Sequence, residues 1–211
     1  CQAQQTRPQE RSLPMRRPVR LPGGSDHGAC HLRKPASAEN RSVEPFAESL
    51  EAGRVTPAAA LRFRRRLYRF FHDQGRQLPW RTTADPYHIL VSEIMLQQTQ
   101  VERVALKYEP FIHAFPDVLS LARAPLRDIM ASWQGLGYNR RALALQRIAR
   151  RLVAEFGGSL PDSVETLRTF PGIGEATAGA LAAFAFNQPV VFIETNIRRV
   201  FLHCFFPGQS E

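Results

Sequence analysis

The chain has 211 residues, 44% of them hydrophobic, and a formal net charge of +9 from 28 Lys plus Arg against 19 Asp plus Glu. That length and apolar content allow one main core, with at most a smaller unit beside it. Cys1, Cys30 and Cys204 are too few and too scattered for a disulfide framework or a four-cysteine metal site, and no apolar run approaches a membrane span or a signal-peptide core. A soluble protein of a reducing compartment, with no membrane partner, is therefore expected. The chain opens on Cys1 rather than Met, as a fragment would.

Residues 1 to about 55 are rich in Pro, Gln, Arg, Ser and Gly and lack helical or alternating periodicity. Such a stretch cannot bury enough apolar surface to offset its ordering entropy, so residues 1–55 read as a disordered or non-native N-terminal extension. His27, Cys30 and His31 fall in it without a fourth ligand, and no metal is expected there. An arginine-rich start hints at an organelle transit peptide, but Glu10, Asp26 and Glu39 argue against one.

From residue 56 to 211 the pattern becomes helical. Thr56 reads as a cap and Pro57 as a first helical position, with Leu61, Leu67, Phe70 and Phe71 recurring at helical spacing up to Gly75. The other face carries Arg62, Arg64, Arg65, Arg66 and Arg69, an ordinary solvated surface or one that skirts phosphates. Asp85-Pro86 starts a second helix to about Gln97, and Thr99 is expected to cap a third that reaches Ala114. Pro116, Pro125 and Pro161 mark further helix entrances. Asn139 to Phe156 forms a long amphipathic helix with Leu143, Leu145, Ile148, Leu152, Val153 and Phe156 inward, stopped by Gly157-Gly158. A short helix from Ser163 to Thr169, a glycine hairpin and a small-residue helix from Glu175 to about Phe186 complete the series. The one strand-like run, Pro189 to Ile193, is too brief to found a sheet, so the class is all-α. Trp80, Leu90, Ile94, Leu136, Leu145, Ile148, Leu167 and Leu181 are the expected core.

Three motifs bear chemistry. In Pro171-Gly172-Ile173-Gly174, two glycines allow a tight turn against a ligand, and the next helix offers free amides and a positive dipole end. Such a turn grips phosphate without reading sequence. Glu93 lies among Ile89, Leu90, Val91, Ile94, Met95 and Leu96, where desolvation raises a carboxyl pKa and lets it hold a proton near neutral pH. The alternative is a polar-face residue of an amphipathic helix. Gln97 and Gln98 could enter a duplex, bond a base edge or simply be solvated. A second carboxylate, Glu194, stands at the entrance of a helix near Thr195, where it could equally serve as a cap. A protonated acid, a second acid and a phosphate grip together suit cleavage of a glycosidic bond in nucleic acid. Of the positive side chains, only Lys34 and Lys107 are lysines, and arginine favours bidentate phosphate contacts. Codon bias yields the same count, so placement has to decide.

From about Leu78 to Val200 the chain resembles the helix-hairpin-helix glycosylase superfamily. Leu78-Pro79-Trp80-Arg81 and Ser92 through Val101 are similar in near-continuous detail to its adenine DNA glycosylase branch. The resemblance implies a multi-helix barrel of the helix-hairpin-helix type and removal of adenine mispaired with 8-oxoguanine from double-stranded DNA. It implies that Glu93 handles adenine N7, that Gln98 enters the duplex, that Tyr138 wedges beside the oxidised guanine, and that Gly172 and Gly174 form the hairpin. Gln97, Thr99, Arg81 and Arg198, in the same motifs, are expected at the DNA. Where the endonuclease III branch carries its Schiff-base lysine this chain has Ala176, and Asn196 follows the adenine branch, which together imply a monofunctional glycosylase. The family's catalytic aspartate falls on Glu194, one methylene longer, and catalysis is sensitive to misplacement of about 1 Å. A retuned backbone that lets Glu194 serve, an altered substrate and a crippled enzyme are the three outcomes; the opposing reading is a binding module that keeps the hairpin and has lost the chemistry. The family's 4Fe-4S loop has no counterpart here, so no cofactor is expected in this chain and a cluster only in a C-terminal part beyond it. A monomer is expected, cytoplasmic or nucleoid-associated in a bacterium, nuclear or mitochondrial in a eukaryote.

Overall fold

A computed structural model describes residues 50–51 and 54–206. The expected N-terminal extension lies almost wholly outside the described residues, as do His27, Cys30 and His31. A short antiparallel ladder, β1 (Leu50–Glu51) with β2 (Arg54–Val55), pairs Leu50 with Val55 and Glu51 with Arg54. Every described residue falls in one compact unit, Val43–Glu211.

The remainder is helical, and the helix starts follow from side-chain capping. In α1 (Pro57–Gln74) the Thr56 hydroxyl accepts from Ala59 N at 3.2 Å. In α2 (Pro86–Leu96) Asp85 Oδ1 accepts from Tyr87 N at 2.8 Å and His88 N at 3.3 Å, and Pro86 takes the first position, where a missing N–H costs nothing. After α3 (Val101–Ala114), Asp117 and Ser120 form a reciprocal capping box for α4 (Val118–Arg123). Then come α5 (Leu126–Trp133) and α6 (Arg140–Glu155), the latter closed by Gly158 N donating to Leu152 O while Gly157 and Gly158 adopt positive φ. Ser163 caps the brief α7 (Val164–Leu167), and α8 (Glu175–Phe186) ends on left-handed Asn187. The Pro189–Ile193 run is irregular rather than a strand, and leads into α9 (Thr195–Phe205).

Helix α2 is apolar all round and therefore central: it packs against α3, α6 and α8, with Ile89, Leu90, Val91, Ile94 and Met95 all buried. Each such side chain contributes about 2 kcal/mol through burial. All eight expected core residues are buried. One inward assignment is corrected: Val153 of α6 is exposed. The apolar stripe of α1, Leu61, Leu67, Phe70 and Phe71, is exposed as well. Helical spacing reports an apolar stripe but supplies no partner for it. Among the described residues α1 buries Ala59 and Phe63, the latter against Phe201 and Phe205 of α9 at ring separations of 5.4 and 5.0 Å. No described helix is long and apolar enough to cross a membrane.

Candidate active site

Glu93 occupies α2 between the buried Ser92 and Ile94 and is itself only partly exposed. Burial pushes its carboxyl up from 4.5 to about 7, and the nearby negative charge of Glu194 adds to the rise. The charge of Glu194, a hundred residues later in the chain, is thus felt at Glu93.

Glu194 is also a cap. Its Oε1 accepts from Ile197 N at 2.9 Å, and Oε2 accepts from Asn196 Nδ2 at 3.1 Å, so the carboxylate is fixed at the positive end of α9. The cap reading of Glu194 is thus realised, and Asn196 holds the second carboxylate oxygen. The segment before Glu194 is located by a glycine: a Cβ on Gly179 of α8 would stand 2.6 Å from Phe192 Cβ, and Phe192 meets Phe184 edge-on at 5.8 Å. Gly179 therefore allows the strand-like run to lie directly on α8 and deliver Glu194.

Three turns complete the site. The first, after α2, contains Gln98 at φ 54, exposed to solvent. The second, Gly135 to Tyr138, ends on Tyr138 at φ 47, with 53% of its surface exposed. The third is the hairpin, with Gly172 at φ 79 and Gly174 capping α8 without any side-chain bond. The first-turn amides of α8 consequently lack intrahelical partners, as an anion grip needs.

Several expected residues also have partners within the protein. Gln97 Nε2 donates to Gly172 O at 3.0 Å and reaches Thr177 Oγ1 at 3.4 Å, so this nitrogen is engaged by the hairpin, whereas Gln98 is exposed. Thr99 does not cap α3; Gln100 takes that position without a side-chain bond, because the Thr99 hydroxyl accepts from Arg141 Nη2 at 2.8 Å. Arg81 donates to Arg76 O at 3.2 Å and lies over the Phe71 ring at 5.5 Å, engaged locally rather than with the three turns. Arg198 is exposed on α9. Arg141 was not expected as a site residue. Its signal was present, since it shares the inward stripe of α6 with Leu145, Ile148 and Leu152.

An open groove along α1, lined by Arg62, Arg65, Arg66, Arg69 and Phe70 together with Asp73 and Gln74, contains none of the expected site residues. Among the described residues no group of three or more His, Cys, Asp or Glu gathers as a metal site would need. An iron-sulfur cluster requires four thiolates, whereas the sequence holds three cysteines and the described one, Cys204, is buried beside Phe205. The residues present do not fit such a group.

Residues 91–211 match the family described as HhH-GPD superfamily base excision DNA repair protein. The chain belongs to that superfamily. This HhH-GPD chain is 37% identical over 183 residues to an adenine DNA glycosylase of Mus musculus, covering 79% of itself and 35% of that protein. It is 40% identical over 141 residues to one from Buchnera aphidicola, covering 66% of itself and 40% of the relative. The chain therefore spans two fifths or less of the length of these relatives. Among solved structures, a thermostable thymine-DNA glycosylase aligns with TM-score 0.61 and 28% identity, over 67% of this chain and 68% of that one. A non-covalent endonuclease III–DNA complex aligns at 0.58 and 19% identity, over 67% and 66% respectively, which supports the fold alone. The expected all-α helix-hairpin-helix architecture is borne out.

Proposed function

We propose that the chain supplies the catalytic domain of a DNA N-glycosylase that removes adenine mispaired with 8-oxoguanine. The observation that carries this reading is Glu93, a carboxyl in a central apolar helix raised to about 7 partly by the charge of Glu194. At neutral pH such a group is protonated about half the time and matched to general-acid work. The duplex lies against the hairpin, whose Gly172 and Gly174 let the backbone approach a phosphate; Gln98 enters the stack, Tyr138 stands beside the opposite base, and the adenine is extruded. Glu93 gives its proton to the base. The C1′–N bond then breaks with its electron pair leaving on the base, and the Glu194 carboxylate, steadied by Asn196 and Ile197 N, stabilises the sugar cation. Water adds to C1′ and its proton returns to Glu93, which leaves an abasic site and resets the acid. Ala176 offers no amine at the start of α8, so strand cleavage through a Schiff base is not part of the reaction. The chain works as a monomer on double-stranded DNA, toward which its +9 charge biases it.

Base release from a duplex carrying a single A:8-oxoguanine pair tests this. Wild type and Glu194→Asp should release adenine, Glu93→Gln should release none, and no form should nick the strand. Binding by all forms without release would assign a non-catalytic module, and release from a different mismatched or damaged pair would reassign the substrate.

A further inference from the structure

The guanidinium of Arg141, 6% exposed, meets no carboxylate among its recorded partners. Its Nη1 donates to Ile94 O at 3.1 Å, Met95 O at 2.8 Å and Gln97 O, and its Nη2 donates to Thr99 Oγ1 at 2.8 Å and to Leu136 O and Gly137 O at 3.2 Å each. The first two acceptors are last-turn carbonyls of α2, the negative end of that helix, where a cation is favoured. The others bracket two particular residues. Gln97 and Thr99 stand immediately before and after Gln98, and Gly137 immediately precedes Tyr138, whose own carbonyl accepts from Arg141 N at 2.9 Å.

Gln98 and Tyr138 are two of three non-glycine residues with positive φ among those described. Left-handed backbone of this kind is unfavourable for residues with a side chain and persists where its surroundings over-determine it. Aromatic packing adds to the hold on the second turn: the guanidinium carbon lies 5.6 Å from the Trp133 ring centre and 5.4 Å from that of Tyr138, and Trp133 Nε1 donates to Gly137 O at 3.1 Å.

We infer that Arg141 is a positioning residue whose forked guanidinium fixes the Gln98 and Tyr138 turns in one register, so that both side chains enter a duplex together. This rests on the proposed reading of Gln98 and Tyr138 as the residues that meet the base stack. The fork is essential. A lysine carries one ammonium at the end of a flexible stem and cannot hold both turns.

The test uses the full chain and a duplex with 2-aminopurine beside an A:8-oxoguanine pair, with affinity read by anisotropy and unstacking by fluorescence at saturating protein. For Arg141→Lys and Arg141→Met alike, the unstacking amplitude should fall at least fivefold while affinity changes less than threefold. A general packing role would lower affinity and melting temperature together, and a charge role would be rescued by Lys; either outcome overturns the inference. Should both variants fail to fold, Thr99→Val decides, because it removes one Arg141 acceptor without changing side-chain volume: a twofold or greater loss of amplitude supports the inference, and an unchanged amplitude sinks it. Wild type that binds without unstacking refutes the inference and leaves DNA binding intact. Wild type that does not bind overturns the proposed function itself.

Discussion

Replacing Glu93 with Gln should stabilise the protein above neutral pH and leave it nearly unchanged in acid. Folding raises this carboxyl from 4.5 to about 7, so between those values the folded state keeps a proton that the unfolded chain has lost. Because the folded pKa is the higher one, the associated stability is fully present below the unfolded value. It is lost as pH rises toward the folded value, and the loss is complete above it. At 1.36 kcal/mol for each unit of pKa, the loss amounts to about 3 kcal/mol. Glutamine keeps the shape and cannot ionise. The stability of the variant relative to wild type should therefore climb from near zero at about pH 4 to about 3 kcal/mol by about pH 9. Urea unfolding followed by the fluorescence of the buried Trp80 and Trp133 measures both ends of this range. An offset that stays constant with pH would mean that Glu93 ionises alike in folded and unfolded chains, and its role as a neutral-pH proton donor would go with it. Glu194→Gln should shrink the pH dependence of the wild-type chain without abolishing it, since burial is the larger cause and the Glu194 charge the smaller.

The same carboxyl sets the pH profile of catalysis: single-turnover base release should fall as pH rises through about 7, and a rate that climbs steadily to alkaline pH would contradict acid catalysis by Glu93. Glu194→Ala removes the bond from Ile197 N and the partner of Asn196, with an expected cost of about 1 kcal/mol in thermal or urea unfolding and loss of base release. Gly179→Ala drives a methyl group into Phe192 and should displace Glu194, lowering kcat on the order of a hundredfold while duplex affinity holds; unaltered turnover would show that this close approach does not locate the acid. Gly172→Ala places a side chain at φ 79, with its Cβ 3.3 Å from Ala144 Cβ, and should cost about 1–2 kcal/mol in stability. It should also weaken duplex binding, as measured by anisotropy.

Much of this was visible in the chain itself, for reasons that differ by residue. Helix starts at Thr56, Asp85 and Ser163 are legible because a cap acts within three residues, and local chemistry writes local sequence. The hairpin is legible for the same reason, since a positive φ asks for glycine at Gly172; the desolvation of Glu93 is legible because α2 is apolar on every side and so must be central. Thr99 was misread because its hydroxyl prefers a guanidinium 42 residues away to the adjacent helix start. Gln97 and Gln98 look alike in sequence, yet one bonds a carbonyl 75 residues distant and the other projects into solvent. Long-range bonds to backbone carbonyls leave no composition or spacing behind them: the inward stripe of α6 marks Arg141 as buried, but its acceptors, like those of Gln97, appear only in three dimensions. The exposed stripe on α1 teaches the reverse lesson, that periodicity can be present where burial is not.

The bond from Gln97 to Gly172 ties the residue next to Gln98 to the glycine hairpin proposed to grip phosphate. A shift of one turn without the other would break a hydrogen bond worth about 1 kcal/mol. On the proposed reading of Gln98 and the hairpin, grasp and insertion would then move together rather than one after the other. A change in the hairpin would then be felt at the neighbouring turn through one side-chain amide.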